Sequence, residues 1–107
     1  MDVVWSDSAW DDLQAIVLFI ARDSARYAED FGGALHDKGG STSTFPERGR
    51  IIPEFSDPVL RELFHHPYRI LYRIEAERVI VIAIIHGSRD LTTLWSREGR
   101  GDPHSIT

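Results

Sequence analysis

Residues 79–85, Val-Ile-Val-Ile-Ala-Ile-Ile, form an unbroken apolar run that decides the fold of this chain. Six of these seven residues are β-branched, and no charged residue or glycine interrupts them. Such a run is typical of a strand whose two faces are both covered by other parts of the protein. We therefore predict a central strand at 79–85, with the other elements arranged around it.

Two further strand-like segments precede this run. Residues 59–65 alternate loosely between apolar and polar side chains, and residues 68–74 follow directly after Pro67. The polar link Glu75-Ala76-Glu77-Arg78 joins the second segment to the central strand and suits a hairpin. These spacings predict three consecutive antiparallel strands.

The N-terminal part of the chain predicts a short strand followed by a helix. Val3-Val4-Trp5 is apolar and β-prone, and Ser6 or Ser8 can cap the helix that comes next. This helix is expected to pack on the sheet through one apolar face, because apolar residues recur at helical spacing. They are Ala9, Leu13, Ile16, Val17 and Ile20.

A second helix is predicted after the break at Asp23-Ser24, where the serine supplies the cap. Gly32-Gly33 and Gly39-Gly40 lie in this segment, and each glycine costs about 1 kcal/mol of helix stability relative to alanine. We therefore expect regular helix only to about residue 38 and a looser segment beyond it. The inner face is predicted from apolar residues at spacings of four: Tyr27, Phe31 and Leu35.

Together these elements predict an α+β fold with the order β-α-α-β-β-β. In this fold a helical hairpin packs on one face of a small twisted antiparallel sheet. The pattern fades after His86, and residues 91–95 are predicted to form a last strand or a turn. We assign residues 1–95 to a single domain and expect residues 96–107 to form a flexible C-terminal tail.

The composition indicates one globular domain of 107 residues. The chain contains no cysteine, which excludes disulfides, thiolate metal sites and cysteine nucleophiles. We expect no cofactor and no metal, since the adjacent His65 and His66 would point to opposite faces of a strand. The N-terminus resembles no signal peptide and no apolar run is long enough to span a membrane, so we expect a cytoplasmic protein without a membrane partner.

The charge is distributed unevenly along the chain. Residues 1–40 carry eight acidic and three basic residues, whereas residues 41–107 carry nine of each. The net charge of −5 provides no basic excess of the kind that DNA-binding proteins use. Direct sequence-specific DNA binding by this chain is therefore not expected.

Arginines and one histidine are the candidate functional residues of the sheet. Arg69 and Arg73 share one face of their predicted strand, and we expect that face to be open because the helices cover the other. His86 and Arg89 follow the central strand, where a histidine could transfer a proton and an arginine could hold a phosphate. Arg61 lies on the first strand of the three. The alternative is that these arginines form ordinary salt bridges with nearby glutamates: Glu47, Glu54, Glu62 and Glu75.

Several segments, taken in this order, resemble the RelE/ParE family of plasmid-stabilisation toxins, which are the toxic halves of type II toxin–antitoxin pairs. The resemblance covers about residues 3–95. The connector at Phe45–Arg50 resembles that of the ParE-like branch. It implies a helical hairpin on a twisted antiparallel sheet and tight binding to a cognate antitoxin. The segments are Val4-Trp5-Ser6 with Ala9 and Leu13, Phe45–Arg50 with Pro53-Glu54, Arg61-Glu62-Leu63, Pro67–Tyr72 and Ile84–Arg89.

Two activities occur in the family that this chain resembles. The RelE-like branch cleaves messenger RNA on the ribosome, whereas the ParE-like branch poisons DNA gyrase and has no established catalytic residues. Arg69 and Arg89 match arginines of the ribonucleases. Glu62, Arg69 and His86 resemble only loosely the carboxylate, arginine and histidine of another branch. Together with Arg89, they are the catalytic candidates that the resemblance implies.

Other positions differ from the ribonucleases. Leu60 and Glu62 stand where those enzymes have lysines, and Trp95 stands at their aromatic proton-transfer position, although an indole N–H only donates. The leading hypothesis is therefore a gyrase-directed toxin without enzymatic activity. A ribosome-dependent mRNA endoribonuclease and a degenerate, non-toxic binding module are the alternatives. The residues expected to contact the target or the antitoxin are Arg61, Arg69, Arg73, Arg89 and Trp95.

The glycine- and serine-rich segment Gly39–Thr44 departs from the family, in which an apolar helix end precedes the connector. This departure predicts a weak end to the second helix and bears on whether this copy is toxic. We expect contacts with the antitoxin to reinforce the segment.

Overall fold

The computed structural model describes all 107 residues and has the predicted α+β architecture. Two 3-10 turns, Ser41–Ser43 and Pro46–Arg48, connect the helical hairpin to the sheet. None of the helices is long and apolar enough to cross a membrane. The elements in chain order are β1 (Asp2–Trp5), α1 (Asp7–Ala21), α2 (Ala25–Gly40), β2 (Arg50–Ile51), β3 (Leu60–His65), β4 (Tyr68–Ile74), β5 (Arg78–His86) and α3 (Leu91–Arg97).

The five strands form one sheet in the order β1-β5-β4-β3-β2. The three predicted antiparallel strands are confirmed as β3, β4 and β5, and β5 is buried throughout residues 79–85. The sheet is mixed, however, because β1 pairs with β5 in parallel. Parallel strands need a long connection between them. Here the chain leaves β1, passes through the helical hairpin and then through β2, β3 and β4 before it reaches β5. The two-residue strand β2 was not predicted and lies at the edge beside β3.

The helical hairpin covers one face of the sheet, and its predicted caps are confirmed. Ser6 accepts a hydrogen bond from the Ala9 amide at 3.1 Å, and Ser24 accepts one from the Tyr27 amide at 3.1 Å. The predicted inner face of α1 is confirmed as well, since its residues pack in the first hydrophobic core. Ala9, Leu13 and Ile16 are buried there, and Val17 and Ile20 are partly buried.

Helix α2 is longer than predicted. It continues to Gly40 instead of loosening after residue 38, and Thr42 then donates a hydrogen bond to the Gly39 carbonyl at 2.8 Å. The reason is close packing, since a Cβ atom on Gly39 would lie 2.8 Å from Cζ2 of Trp5. Glycine allows the helix to approach this ring, and the resulting burial offsets its low helix propensity.

The inner face of α2 also differs from the prediction. Tyr27, expected to point inward, is 58% exposed, and Phe31 is only partly buried. Gly32 lies on the inner face, where the close approach of Val17 of α1 leaves no room for a larger residue. The buried residues of α2 are Ala28, Gly32, Leu35 and Gly39.

The second face of the sheet is covered too, so the prediction of an open arginine face was wrong. Strand β5 is apolar on both faces, and each face therefore needs a covering layer. Helix α3, residues 52–55 and the C-terminal segment provide it. The buried residues of this second core are Ile52, Leu60, Leu71, Ile80, Ile82, Ala83, Ile85, Leu91, Leu94 and Trp95, with Phe55 and Ile106 packed against them.

Helix α3 replaces the strand or turn that was predicted after the central strand. Asp90 caps it by accepting a hydrogen bond from the Thr93 amide at 3.3 Å. Beyond it, residues 98–107 form no regular element but return to α1, where Arg100 donates to Asp12 at 2.7 and 2.9 Å. The flexibility expected for residues 96–107 remains a prediction, and it would require these contacts to break.

Candidate functional site

Arg69 lies in a buried ion network on the second face of the sheet. Its Nε donates to Oε1 of Glu62 at 2.5 Å, and its terminal nitrogens donate to the two oxygens of Glu54 at 2.8 and 3.0 Å. The Arg69 side chain is 7% exposed and that of Glu62 is fully buried. Pairing with Arg69 lowers the pKa of Glu54, and pairing with Glu54 and then Glu62 raises the pKa of Arg69. The guanidinium group is therefore occupied by protein carboxylates.

Strand register explains how this network forms. Phe64 of β3 lies opposite Arg69 of β4, which places Glu62 at the diagonal position on the same face. Arg50 of β2 lies opposite Glu62 and donates to its second oxygen at 2.6 Å. Both oxygens of the Glu62 carboxylate therefore accept hydrogen bonds from arginines within the protein.

Arg73 is buried and paired in a similar way. Its Nε and one terminal nitrogen donate to Glu75 at 3.1 and 2.8 Å. Its other terminal nitrogen donates to the carbonyl of Pro103 in the C-terminal segment at 2.6 Å. Arg69 and Arg73 therefore form salt bridges with glutamates, as the alternative interpretation proposed. Their partners are three of the four glutamates named there: Glu54, Glu62 and Glu75.

Arg61 and Tyr72 hold the connector between the hairpin and the sheet. Arg61 contacts no carboxylate and donates instead to the carbonyls of Pro58 and Gly49 at 2.7 and 3.2 Å. The Tyr72 hydroxyl accepts from the Gly49 amide at 3.0 Å and donates to the Pro46 carbonyl at 2.5 Å. Burial raises the pKa of Tyr72. No local sequence pattern identified the role of this tyrosine, because its partners lie more than 20 residues away.

His86 and Arg89 are the two candidates that remain exposed. Nδ1 of His86 accepts from the Ser88 amide at 3.1 Å, so the neutral ring carries its proton on Nε2. Arg89 forms no ion pair. Both line a groove of about 270 Å³ between α1 and the end of β5, which also contains Tyr68 and Arg100. The structure therefore brings His86 and Arg89 into one groove, and Arg69 and Glu62 do not line it.

Trp95 belongs to the second core. It is 7% exposed, its ring packs against Phe55 at 5.3 Å between centroids, and the Arg100 guanidinium lies 5.5 Å from its ring centre. Its indole N–H donates to the Gly101 carbonyl at 2.7 Å. In this position the side chain anchors the C-terminal segment, and its only polar group is already satisfied.

The comparisons with known proteins agree with this architecture. Residues 3–91 match the family model described as the ParE toxin of the type II toxin–antitoxin system parDE. The fold is similar to a solved structure described as the chromosomal ParDE TA system from P. aeruginosa, with a TM-score of 0.68 and 18% identity over 80% of this chain and 95% of that chain.

A second solved structure, described as a YoeB/ParE toxin from Agrobacterium tumefaciens, has a TM-score of 0.52 and 22% identity over 80% of this chain and 98% of that chain. At such identities, both structures support the fold alone. No curated protein matches the chain in sequence. Because the family model spans most of the chain, this protein belongs to the ParE toxin family of type II toxin–antitoxin systems.

Proposed function

We propose that this toxin poisons DNA gyrase and does not cleave RNA. The observation that carries this proposal is the ion network in which the buried Arg69 and Glu62 pair with each other and with the more exposed Glu54 and Arg50. A ribonuclease must bring accessible cations and a proton-transfer group to the phosphate. Here the arginine and the carboxylate that could supply them neutralise each other inside the protein.

The remaining candidates also support a non-enzymatic toxin. His86 and Arg89 are exposed, but Trp95 is buried and offers only a satisfied N–H donor. The net charge of −5 produces no overall positive field to attract a ribosome. A protein target such as gyrase does not need that field, and we place the toxin in the cytoplasm with it.

We further propose that a cognate antitoxin, encoded beside this gene, neutralises the toxin. An intact toxin fold favours this proposal over a degenerate module. The unusual segment Gly39–Thr44 continues α2 and leads into a 3-10 turn, and the Thr42 hydroxyl is satisfied within it. The segment is thus integrated into the fold before any antitoxin binds.

The test is expression of the chain without its antitoxin, followed by two assays. We expect growth arrest, gyrase-dependent DNA breakage and no cleavage of messenger RNA at the ribosomal A site. Arg89→Ala is expected to weaken DNA breakage, whereas Arg97→Ala, which removes another exposed and unpaired arginine, serves as the control. Ribosome-dependent cleavage that disappears in Arg89→Ala would contradict the gyrase proposal. Absence of both activities and of growth arrest would favour the degenerate module.

A further inference from the structure

Ser88 and His86 form a hydroxyl–imidazole pair just beyond the end of β5. Oγ of Ser88 lies 2.7 Å from Nδ1 of His86, and both side chains are exposed. The Ser88 amide contacts the same nitrogen at 3.1 Å, and an amide N–H can only donate. Nδ1 is therefore the acceptor of both contacts, and the serine hydroxyl donates its hydrogen to the imidazole.

Neighbouring groups hold this pair in place. Tyr68 of β4 lies opposite His86, and the two rings meet edge to face with their centroids 5.4 Å apart. The Gly87 amide donates to the Pro67 carbonyl at 2.7 Å, which fixes the turn that carries Ser88. A nucleophile within hydrogen-bond distance of an oriented base is the arrangement that activates a hydroxyl group for attack.

A groove of about 340 Å³ adjoins the serine. Phe64, Pro67 and Tyr68 form its uncharged walls, and no carboxylate, lysine or arginine lines it. Apolar and aromatic walls beside a small number of polar groups are typical of sites for small organic ligands. The groove therefore favours a short, uncharged group next to the Ser88 hydroxyl.

The charge near the serine is positive. Arg89 follows Ser88 directly in the chain, is exposed and forms no ion pair. When a hydroxyl attacks a carbonyl group, negative charge develops on the carbonyl oxygen, and a nearby cation stabilises it. The surroundings of Ser88 thus favour attack on an uncharged carbonyl compound.

We propose that Ser88 is a site of covalent acylation, with His86 as the general base and a small activated ester as the acyl donor. Oγ of Ser88 attacks the carbonyl carbon while its proton passes to Nδ1 of His86. The bond between the carbonyl carbon and the leaving oxygen then breaks, and the imidazolium returns the proton to that oxygen. The products are an ester of Ser88 and the free alcohol, so the step needs no oxidant or reductant.

The first experiment treats the full-length protein with p-nitrophenyl acetate and locates the acetyl groups by mass spectrometry after cleavage at arginine. Ser88 is the only residue with a hydroxyl group in the peptide 79–89. Ser96, in the peptide 90–97, is the internal control, because it is exposed and its hydroxyl contacts no histidine. We expect acetylation of Ser88 to be about tenfold or more faster than that of Ser96.

The second experiment repeats the measurement with His86→Asn. The asparagine oxygen can accept a hydrogen bond in place of Nδ1 but takes up no proton, so the variant removes the base and keeps an acceptor. The rate at Ser88 should fall to within about threefold of the rate at Ser96. Since His86 is exposed, the unfolding temperature should not change, and the ratio of the two serines is read within one molecule.

Three results decide the proposal. Faster acetylation of Ser88 that is lost in His86→Asn supports it. Equal rates at Ser88 and Ser96 in the wild type would show that the serine is not activated. Fast acetylation that persists in His86→Asn would refute the histidine as the base. The gyrase and antitoxin proposals do not depend on Ser88 and stand or fall separately.

Discussion

At the scale of single residues, Arg69 shows how surroundings determine the role of a side chain. An arginine on an exposed strand can hold a phosphate, but this one donates three hydrogen bonds to two carboxylates and is almost fully buried. A buried charge is tolerated only when its partners remain in place. Arg69 is therefore a structural residue whose removal would leave the buried Glu62 carboxylate with Arg50 as its only ion-pair partner.

This role predicts a large loss of stability. Arg69→Ala should lower the free energy of unfolding by about 3 kcal/mol or more, because it breaks a buried pair from one side only. Urea denaturation monitored by tryptophan fluorescence measures the change. Arg97→Ala, at an exposed and unpaired position, should change it by less than about 0.5 kcal/mol. A loss below about 1 kcal/mol in Arg69→Ala would show that the network contributes little.

At the scale of elements, the packing of α1 against α2 depends on glycines. A Cβ atom on Gly32 would lie 2.6 Å from Cγ2 of Val17, a distance at which the Val17 side chain or the helix backbone must shift. A Cβ atom on the neighbouring Gly33 would meet nothing within 4 Å. The two adjacent glycines of α2 therefore differ in role. Gly32 lies in close contact with α1, whereas a side chain at Gly33 would contact no other element.

The two positions predict opposite effects of the same substitution. Gly32→Ala should destabilise the protein by about 1–3 kcal/mol through overpacking, despite the higher helix propensity of alanine. Gly33→Ala should stabilise it by up to about 1 kcal/mol, since only the propensity changes. Thermal unfolding of the two variants measures both effects. Equal shifts of the unfolding temperature would refute the close helix contact, and Val17→Ala should relieve the Gly32→Ala defect if the contact is correct.

At the scale of the whole molecule, the C-terminal segment connects distant parts of the fold. Arg100 reaches Asp12 on α1, and Pro103 accepts a hydrogen bond from Arg73 of β4. His104 lies between two carboxylates, with Nε2 at 2.6 Å from Asp57 and Nδ1 at 3.0 Å from Asp102. The segment thus ties the first helix, the central sheet and the loop before β3 together.

His104 makes this connection dependent on pH. Hydrogen bonds to Asp57 and then Asp102 raise the pKa of His104 above its ordinary value of 6.5. Because the folded pKa is the higher one, this stabilisation is complete below about pH 6.5 and is lost as the pH rises through the folded value. Removing the histidine should therefore matter most in acidic solution.

The experiment compares wild type with His104→Ala. The difference in unfolding temperature should be largest near pH 5.5 and should shrink towards pH 8.5, and an NMR titration should show a His104 pKa that falls in Asp57→Asn. Hydrogen bonds from the backbone and ring of His104 lower the pKa of Asp102, and the charge of Arg73 lowers it to a smaller extent. A temperature difference that does not depend on pH would show that the histidine contact is not ion-paired.

The local pattern of the sequence was sufficient for most elements of the fold, although not for β2 or α3. Apolar runs and helical spacing identified the three antiparallel strands and the inner face of α1, and the serine caps of both hairpin helices were recognisable from adjacent residues. These features depend on neighbours in the chain, so sequence alone reveals them. The resemblance over the ordered segments identified the family that the match to residues 3–91 then confirmed.

The candidate site was less predictable, because the burial and pairing of its side chains depend on residues that are distant in sequence. The sequence placed Arg69 and Arg73 on one strand face but could not show that α3 and the C-terminal segment cover it. It also could not show that glycines in α2 mark close contacts instead of a weak helix, since Trp5 and Val17 come from other elements.

The run at residues 79–85 by itself determined that this protein has a strand with two covered faces. Its apolar side chains cannot remain in water on either side, whatever the rest of the chain does. Only the tertiary structure decided what covers the second face, and so which arginines are buried and paired and which remain free. The physical reason is that burial and ion pairing depend on distances in space, which bring Glu54, Glu62 and Arg69 together from three separate segments.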